Sequence, residues 1–195
     1  MRDQWYGDKR DLIKWGVLLH LAEDYGAERI LQLAFYRPSK FGQIKIDGQK
    51  RDLPAEVISH FRDLRTITGI SSHPRVTVFD VEFKDRDEYL QSALTFLGAF
   101  ASERCIVFLD PDTGLEPQKP SFEHVRDEEA KDIWDAMKSG DIFVFYQHQT
   151  NRRGQDWVKP KKSQLAAALG GVGEIKKAEA PEIAKDVVFY YIQKS

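Results

Sequence analysis

The segment Cys105–Glu116 constrains the fold more than any other part of this chain. It begins with five apolar residues, Cys105 to Leu109, and then changes abruptly to carboxylates, a proline and a glycine. An uninterrupted apolar run is typical of a parallel strand that is buried on both faces, which requires helices on both sides of the sheet. In open α/β sheets, ligands bind beyond the carboxyl ends of such strands. The segment therefore predicts an α/β protein with a site after this strand.

Strand-like and helix-like segments alternate along the rest of the chain. Short apolar runs predict strands, whereas apolar residues at helical spacing, with capping signals, predict helices. The predicted strands cover residues 29–36, 76–83, 105–109, 141–146 and 186–193. The predicted helices begin at Asp8, Pro54, Arg86, Asp127 and Pro160; the first stops at Gly26 and the second continues to Gly69. Because parallel neighbours need helix-length connections, the alternation predicts a three-layer α/β/α sandwich with a mostly parallel, Rossmann-like sheet. A short, irregular connection leads into the last strand, which leaves an antiparallel insertion of that strand open.

Size and composition bound the organisation of the chain. With 195 residues, 42% of them hydrophobic, it suits one domain over residues 1–195. An Asp47-Gly48 turn signal predicts a loop or small hairpin excursion around residues 37–53, and a polar stretch predicts a variable segment around residues 149–175. The net charge of -2 means that a polyanion would have to meet a local basic patch. A single cysteine, a polar start and the lack of any membrane-length apolar window predict a cytoplasmic protein with no membrane partner.

Polar side chains follow two predicted neighbouring strands where each strand ends. Asp110, Asp112 and Glu116 follow the first, and Gln147 and His148 end the second. Pro111 and Gly114 favour a tight, non-helical loop between the carboxylates. A histidine beside carboxylates can act as an acid, a base or a metal ligand. An ordinary strand-to-turn connection, with Asp and Gly as turn residues, explains part of the pattern but not the whole acidic cluster.

The first predicted helix supplies a second group of candidate residues. Gly7 and Asp8 precede this helix, and Lys14 lies one to two turns further on. Backbone N–H groups at a helix start suit an anionic ligand, although a solvent-facing lysine is an equally good interpretation of Lys14. Asp80 interrupts the apolar strand at 76–83, so either the strand ends there or the side chain faces a cleft.

Several motifs with well-defined chemistry are missing from the sequence. It has no glycine-rich dinucleotide fingerprint after the first strand, no Walker phosphate-binding loop, no nucleophile elbow and no Cys/His zinc spacing. P-loop enzymes, serine hydrolases and zinc proteins are therefore excluded from the candidate classes.

Three segments together resemble a known group of proteins: residues Gly7 to Lys14, the Asp-Pro-Asp-Thr-Gly-Leu-Glu run from Asp110 to Glu116, and Tyr146 to His148. They resemble an uncharacterised bacterial family related to Rossmann-like, S-adenosylmethionine-dependent methyltransferases and, more distantly, the large-subunit ribosomal RNA adenine-N6 methyltransferases. The resemblance implies a methyltransferase-like sheet. It also implies that Gly7, Asp11 and Lys14 contribute to the cofactor pocket and that Asp80 helps to hold the adenosine.

The chain departs from this family at two functional motifs. The family's catalytic Asp-Pro-Pro-Tyr tetrad falls on Asp110 to Thr113, so a threonine replaces the aromatic residue that stacks on the target base and Asp112 replaces a proline. The glycine-rich turn after the first strand is represented only by residues 35–42, which include Pro38. These changes affect the implied activity more than the implied fold.

Three functions from different classes follow. The first is a methyltransferase-like protein that binds S-adenosylmethionine and acts on a nucleic-acid amino group, with Asp110, Asp112 and His148 as catalytic residues. The second is a nuclease or phosphoesterase in which Asp110, Asp112 and Glu116 bind Mg²⁺ or Mn²⁺ and His148 is the acid or base. The third is a non-catalytic binding subunit that acts beside a protein partner.

Overall fold

The computed structural model describes residues 7–39, 42–150 and 155–195. The helices are α1 (Lys9–Tyr25), α2 (Ala55–Arg62), α3 (Arg86–Gly98), α4 (Asp127–Ala136) and α5 (Val158–Ala168), with a 3₁₀ helix at Leu64–Ile70. The strands are β1 (Arg29–Leu33), β2 (Gln43–Ile46), β3 (Gln49–Asp52), β4 (Arg75–Phe79), β5 (Cys105–Leu109), β6 (Gly114–Leu115), β7 (His124–Val125), β8 (Ile142–His148), β9 (Lys176–Ala178) and β10 (Val187–Gln193).

A six-stranded sheet forms the centre of the protein, in the order β4, β1, β5, β8, β10, β9. The strands β4, β1, β5 and β8 are parallel, whereas β10 runs antiparallel to both β8 and β9. The predicted α/β architecture is confirmed, and so is the antiparallel insertion of the last strand. The chain leaves β1 for β4 on one side and later enters β5 on the other, which makes the gap between β1 and β5 the topological switch point.

Helices cover both faces of the sheet, as the apolar segment at β5 required. Ile106 and Phe108 pack with α1 on one face, and Val107 and Leu109 pack with α3, α4 and α5 on the other. All four side chains are at most 1% exposed. The alternation of β5 between two apolar layers explains why its sequence shows no polar face.

Helix α1 begins and ends at the residues that its sequence indicates. The Asp8 carboxylate accepts hydrogen bonds from the backbone N–H groups of Arg10 and Asp11, and Gly26 ends the helix in the left-handed region at φ 63°. The N-cap satisfies N–H groups that have no partner inside the helix, and glycine tolerates the final conformation without strain. Both ends of α1 were predicted.

Several predicted element boundaries are wrong. The predicted strand at 29–36 ends at Leu33, because Phe35 adopts a φ of 44° that an extended strand excludes. The predicted strand at 76–83 ends at Phe79, directly before Asp80. The helix predicted from Pro54 to Gly69 is two elements, since Asp63 has an extended backbone and its carboxylate caps the following 3₁₀ helix. Strand β9 was not predicted.

The excursion predicted around residues 37–53 contains an antiparallel hairpin made by β2 and β3. Its two-residue turn, Asp47-Gly48, has φ values of 51° and 80°, the positive values of a type I′ turn. All eight strand residues of this hairpin are exposed. Among the described residues, no helix is long and apolar enough to cross a lipid bilayer.

The thiol of Cys105 offers a simple test of the buried strand β5. The residue is 1% exposed, and burial raises the pKa of its thiol to about 12. Because the thiolate is the reactive species, we expect iodoacetamide not to label the folded protein at about pH 8 and to label it fully after unfolding in urea. Mass spectrometry would measure the labelling, and equal labelling rates in both states would contradict a buried β5.

Candidate functional site

The predicted strand ends meet at a cavity of about 340 Å³ beside the start of α1. The loop after β5, the end of β8 and the first two turns of α1 form its walls. This position lies beyond the carboxyl edge of the parallel strands, next to the topological switch point. The lining residues are Asp8, Arg10, Asp11, Lys14, Asp110, Pro111, Asp112, Thr113, Tyr146 and His148.

Asp110 lies at the centre of this site. Its side chain is 2% exposed, and its backbone N–H donates to the carbonyl of Leu33, 3.0 Å away, which continues the pairing of β5 with β1. Its Oδ2 accepts hydrogen bonds from Lys14 Nζ at 2.9 Å and from Gln32 Nε2 at 2.7 Å. Within the described residues, nothing donates to Oδ1. Asp110 is therefore a rigidly held carboxylate in the cavity wall, with both described donors on the same oxygen.

Lys14 connects α1 to this carboxylate. Its Nζ donates to Asp11 Oδ1 at 2.6 Å as well as to Asp110, and the backbone N–H of Gly7 donates to Asp11 Oδ2 at 2.6 Å. With its side chain 6% exposed, Lys14 is not the solvent-facing lysine that the sequence left open. The structure thus brings together Gly7, Asp11, Lys14 and Asp110, four residues that the sequence predicted for one site.

Electrostatics keep Lys14 charged despite its burial. Burial alone lowers the pKa of Lys14, but the carboxylates of Asp110 and Asp11 outweigh this effect and raise that pKa above its ordinary value. Burial also raises the pKa of Asp110, while Lys14 opposes the increase. The carboxylates of Asp11 and Asp110 thus share the ammonium group of Lys14.

The rest of the cavity wall has the same electrostatic character. Its lining contains four aspartates against one arginine and one lysine. The Tyr146 ring lies 5.6 Å from Lys14 Nζ, and burial raises the pKa of its phenol, so that it stays neutral at physiological pH. A cation is consequently a better ligand for this cavity than a phosphate group.

His148 lies at the rim of the cavity in a network that the sequence did not reveal. Its Nε2 is 3.1 Å from Asp186 Oδ2, which also accepts from Arg10 Nη2 at 2.5 Å. Burial raises the pKa of Asp186, but the hydrogen bond and the charge of Arg10 outweigh this effect, so that the pKa is lowered overall. Asp186 directly precedes β10, and the antiparallel pairing of Val187 with His148 brings the start of β10 to the end of β8. The antiparallel strand was thus the one signal that could have located Asp186.

Asp112 and Thr113 line the cavity but are tied to other loops. The Asp112 carboxylate forms an ion pair with Arg37, which also lies 3.5 Å from Glu123. The Thr113 hydroxyl donates to the carbonyl of Glu123 at 2.6 Å. These contacts join the loop after β1 to the loop after β5.

Glu116 does not belong to the cavity. Its carboxylate accepts the backbone N–H of Asp127 at 2.9 Å, in the first turn of α4, and its carbonyl accepts from Lys161 Nζ at 2.8 Å. In the described part of the chain, no three His, Cys, Asp or Glu side chains are grouped so that they could hold a metal ion. The metal-ligand set Asp110, Asp112 and Glu116 is therefore not assembled: only Asp110 and Asp112 reach the cavity.

Asp80 lies at the same edge of the sheet but outside the cavity lining. It follows β4, and its carboxylate accepts from Arg65 Nε at 2.8 Å. Its predicted role in holding adenosine stays a prediction. The turn after β1, where the family carries glycines, contains Phe35 in the left-handed region at φ 44°, and the N–H of Phe35 donates to the Tyr89 hydroxyl at 2.8 Å.

Gln147 fixes the loop after β5 from the neighbouring strand. It is fully buried, its Oε1 accepts from Leu115 N at 2.9 Å, and its Nε2 donates to the carbonyls of Thr113 and His148. Gly114 lies against this amide with a φ of 127°. The geometry of the loop that carries Asp110 and Asp112 thus depends on Gln147. The sequence predicted that Gln147 lies near this loop, but not that its amide holds the loop in place.

The sequence matches no known protein-family model, and no curated protein matches it at a significant level. The resemblance to the methyltransferase-related family therefore stays a prediction.

Proposed function

We propose that this protein binds S-adenosylmethionine in the cavity and directs its methyl group to an amino nitrogen held against Asp110. The observation that carries the proposal is the buried Asp110 carboxylate, whose Oδ2 is fixed by Lys14 and Gln32 while Oδ1 has no described donor. The sheet is compatible with it, since the cavity lies beyond the carboxyl ends of parallel strands, where α/β sheets bind their ligands. The acidic lining suits a cofactor whose sulfonium and ammonium groups outnumber its one carboxylate.

Three residues of the cavity would have separate roles in such a transfer. The bound cofactor would supply an electrophilic methyl group on a positively charged sulfur. Asp110 would accept a hydrogen bond from the acceptor's N–H and so orient the nitrogen lone pair, since methyl transfer depends mainly on alignment. With Nε2–H of His148 donating to Asp186 at 3.1 Å, Nδ1 would receive the proton that the nitrogen releases, and the carbonyl of Gln149, 3.3 Å from Nδ1, would accept a hydrogen bond from the protonated ring. Lys14 would keep Asp110 ionised and in place.

Cofactor binding tests this proposal directly. We expect S-adenosylmethionine and its demethylated product to release measurable heat and to stabilise the protein by about 2.7 kcal/mol at a hundredfold excess over Kd. Asp110→Asn removes the charge and should weaken binding about tenfold or more. Asp132→Asn, an exposed aspartate of α4, is the matched control and should bind normally. Neither heat nor a melting shift with either compound would refute the proposal.

A non-catalytic binding subunit is the second candidate. The observation that favours it is Thr113, which replaces the stacking aromatic residue of the family and whose hydroxyl is engaged by the carbonyl of Glu123. This candidate predicts cofactor binding without transfer of a labelled methyl group to any RNA or DNA. A protein partner recovered in that case would support the non-catalytic role.

A further inference from the structure

We propose that the β2–β3 hairpin binds the phosphate backbone of duplex DNA. The hairpin exposes all eight of its strand residues, and it carries Lys45 directly opposite Lys50. Directly opposed side chains on an antiparallel pair have Cβ atoms about 5 Å apart, and like charges at this spacing destabilise the pair. An anion between the two ammonium groups would turn this repulsion into attraction.

Lys45 and Lys50 outnumber the one carboxylate, Asp52, on their face of the hairpin. No described acidic side chain forms an ion pair with Lys45, Lys50 or the adjacent Arg51. On the lysine face of the hairpin, the nearest carboxylate in register is Asp52, which accepts from Gln43 Nε2 at 3.0 Å. The lysine face therefore presents a local positive charge on a chain whose net charge is -2. This is the local basic patch that a polyanion needs.

The shape and composition of the hairpin favour duplex DNA among polyanions. Residues 43–52 include no aromatic side chain, so the hairpin offers no stacking platform for single-stranded bases. A two-stranded ribbon fits the major groove of B-form DNA, whereas the major groove of A-form RNA is too narrow for it. The opposite face carries Ile44 and Ile46, 41% and 42% exposed, which a protein partner or a second copy of the chain would cover instead.

Chain connectivity places the hairpin near the candidate site. Arg37 pairs with Asp112 in the cavity wall, and β2 begins only six residues later at Gln43. Six residues reach at most about 20 Å. A duplex on the hairpin would therefore lie close to the cavity. Delivery of a nucleotide from the hairpin to Asp110 is a further step that rests on the proposed function. DNA binding by the hairpin is independent of the proposed function.

Salt-dependent binding to a fluorescein-labelled DNA duplex of about 20 base pairs tests this proposal by fluorescence anisotropy. We expect Lys45→Gln/Lys50→Gln to weaken binding roughly tenfold and to reduce the slope of log affinity against log salt by about 1.8, because each lost phosphate contact releases about 0.9 fewer counterions. The control Lys119→Gln/Lys159→Gln removes two exposed lysines elsewhere and should change neither quantity. Arg51→Gln removes one charge from the opposite face of the hairpin, where Arg51 pairs in register with Ile44, and should change the slope less than the double lysine variant does. Thermal melting verifies that each variant is folded.

Three results would overturn the proposal: no salt-dependent binding by the wild-type protein, equal binding by the Lys45/Lys50 variant, or tighter binding to single strands or duplex RNA than to duplex DNA. An Ile44→Ser/Ile46→Ser variant that dissociates a dimer without changing DNA affinity would show that the hairpin binds a second copy of the chain. That result would also overturn the proposal of DNA binding. Titration with S-adenosylmethionine separates the two proposals, because the Lys45/Lys50 variant should retain the heat of the wild-type protein. If neither protein releases heat while DNA binding follows the expectation, only the proposed function fails.

Discussion

Replacing Lys14 by methionine should destabilise the protein by about 3–5 kcal/mol, because it leaves two buried carboxylates without their shared cation. Lys14 Nζ donates to Asp11 at 2.6 Å and to Asp110 at 2.9 Å, and the side chain of Asp110 is 2% exposed. Domains of this size are stable by only about 5–15 kcal/mol, so the loss is a large fraction of the total. Urea denaturation monitored by circular dichroism would measure it. Lys9→Met, which replaces an exposed lysine in the first turn of α1, is the control and should stay within about 0.5 kcal/mol of wild type.

The pH dependence of this variant distinguishes lost charge from lost packing. Burial already raises the pKa of Asp110, and without Lys14 the folded-state pKa of this carboxyl group should lie further above its unfolded value near 4. The protonated form of Asp110 then stabilises the fold at low pH, and this stabilisation is lost as the pH rises through the folded-state pKa. We therefore expect a smaller destabilisation at about pH 5 than at about pH 8, and partial recovery of about 1–3 kcal/mol in Lys14→Met/Asp110→Asn. A destabilisation that is independent of pH and not recovered by Asp110→Asn would indicate that Lys14 contributes through packing alone.

The parts of the fold that were predicted are those that short stretches of sequence determine. A few adjacent residues determine each of three features: the strand β5, which is buried on both faces, the caps of α1 at Asp8 and Gly26, and the Asp47-Gly48 turn. The errors arise where tertiary contacts override a local pattern. Apolar spacing continues from α2 across Asp63 to Leu64, so periodicity could not reveal the break. Strand β9 has only three residues and carries two lysines, which gives no alternation to recognise.

The residues of the candidate site likewise include some that the sequence could predict and some that depend on tertiary contacts. Asp110 and His148 could be predicted because both follow apolar strands, and Lys14 because α1 opens at the same edge of the sheet. Arg10 and Asp186 are 176 residues apart in sequence, so only the folded sheet brings them together. Gln32 is a polar residue inside the apolar strand β1, and a buried amide requires a partner, so this residue is a sequence signal for the site: its amide donates to Asp110.

Gly114→Ala should be the most damaging single-methyl change in the loop that presents the site. The residue has a φ of 127°, which L-amino acids rarely adopt, and an added Cβ would lie 2.4 Å from three atoms of the Gln147 side-chain amide. That amide cannot move aside cheaply, because Gln147 is fully buried and bonds to Leu115, Thr113 and His148. Backbone strain and overpacking each cost about 1–3 kcal/mol, so we expect a combined loss of about 2–6 kcal/mol in urea unfolding.

The matched control for this change is Gly16→Ala, which adds the same methyl group to an exposed position in the middle of α1. A Cβ at Gly16 meets nothing within 4 Å, and alanine is the better helix former, so this variant should gain about 0.5–1 kcal/mol. The loop that contains Gly114 also carries Asp112 and Thr113, and the displaced Gln147 precedes His148, so cofactor affinity should fall together with stability in Gly114→Ala alone. If Gly114→Ala unfolds within about 0.5 kcal/mol of wild type, Gln147 does not hold this loop, and the rigid presentation of Asp110 on which the proposed transfer depends must have another cause.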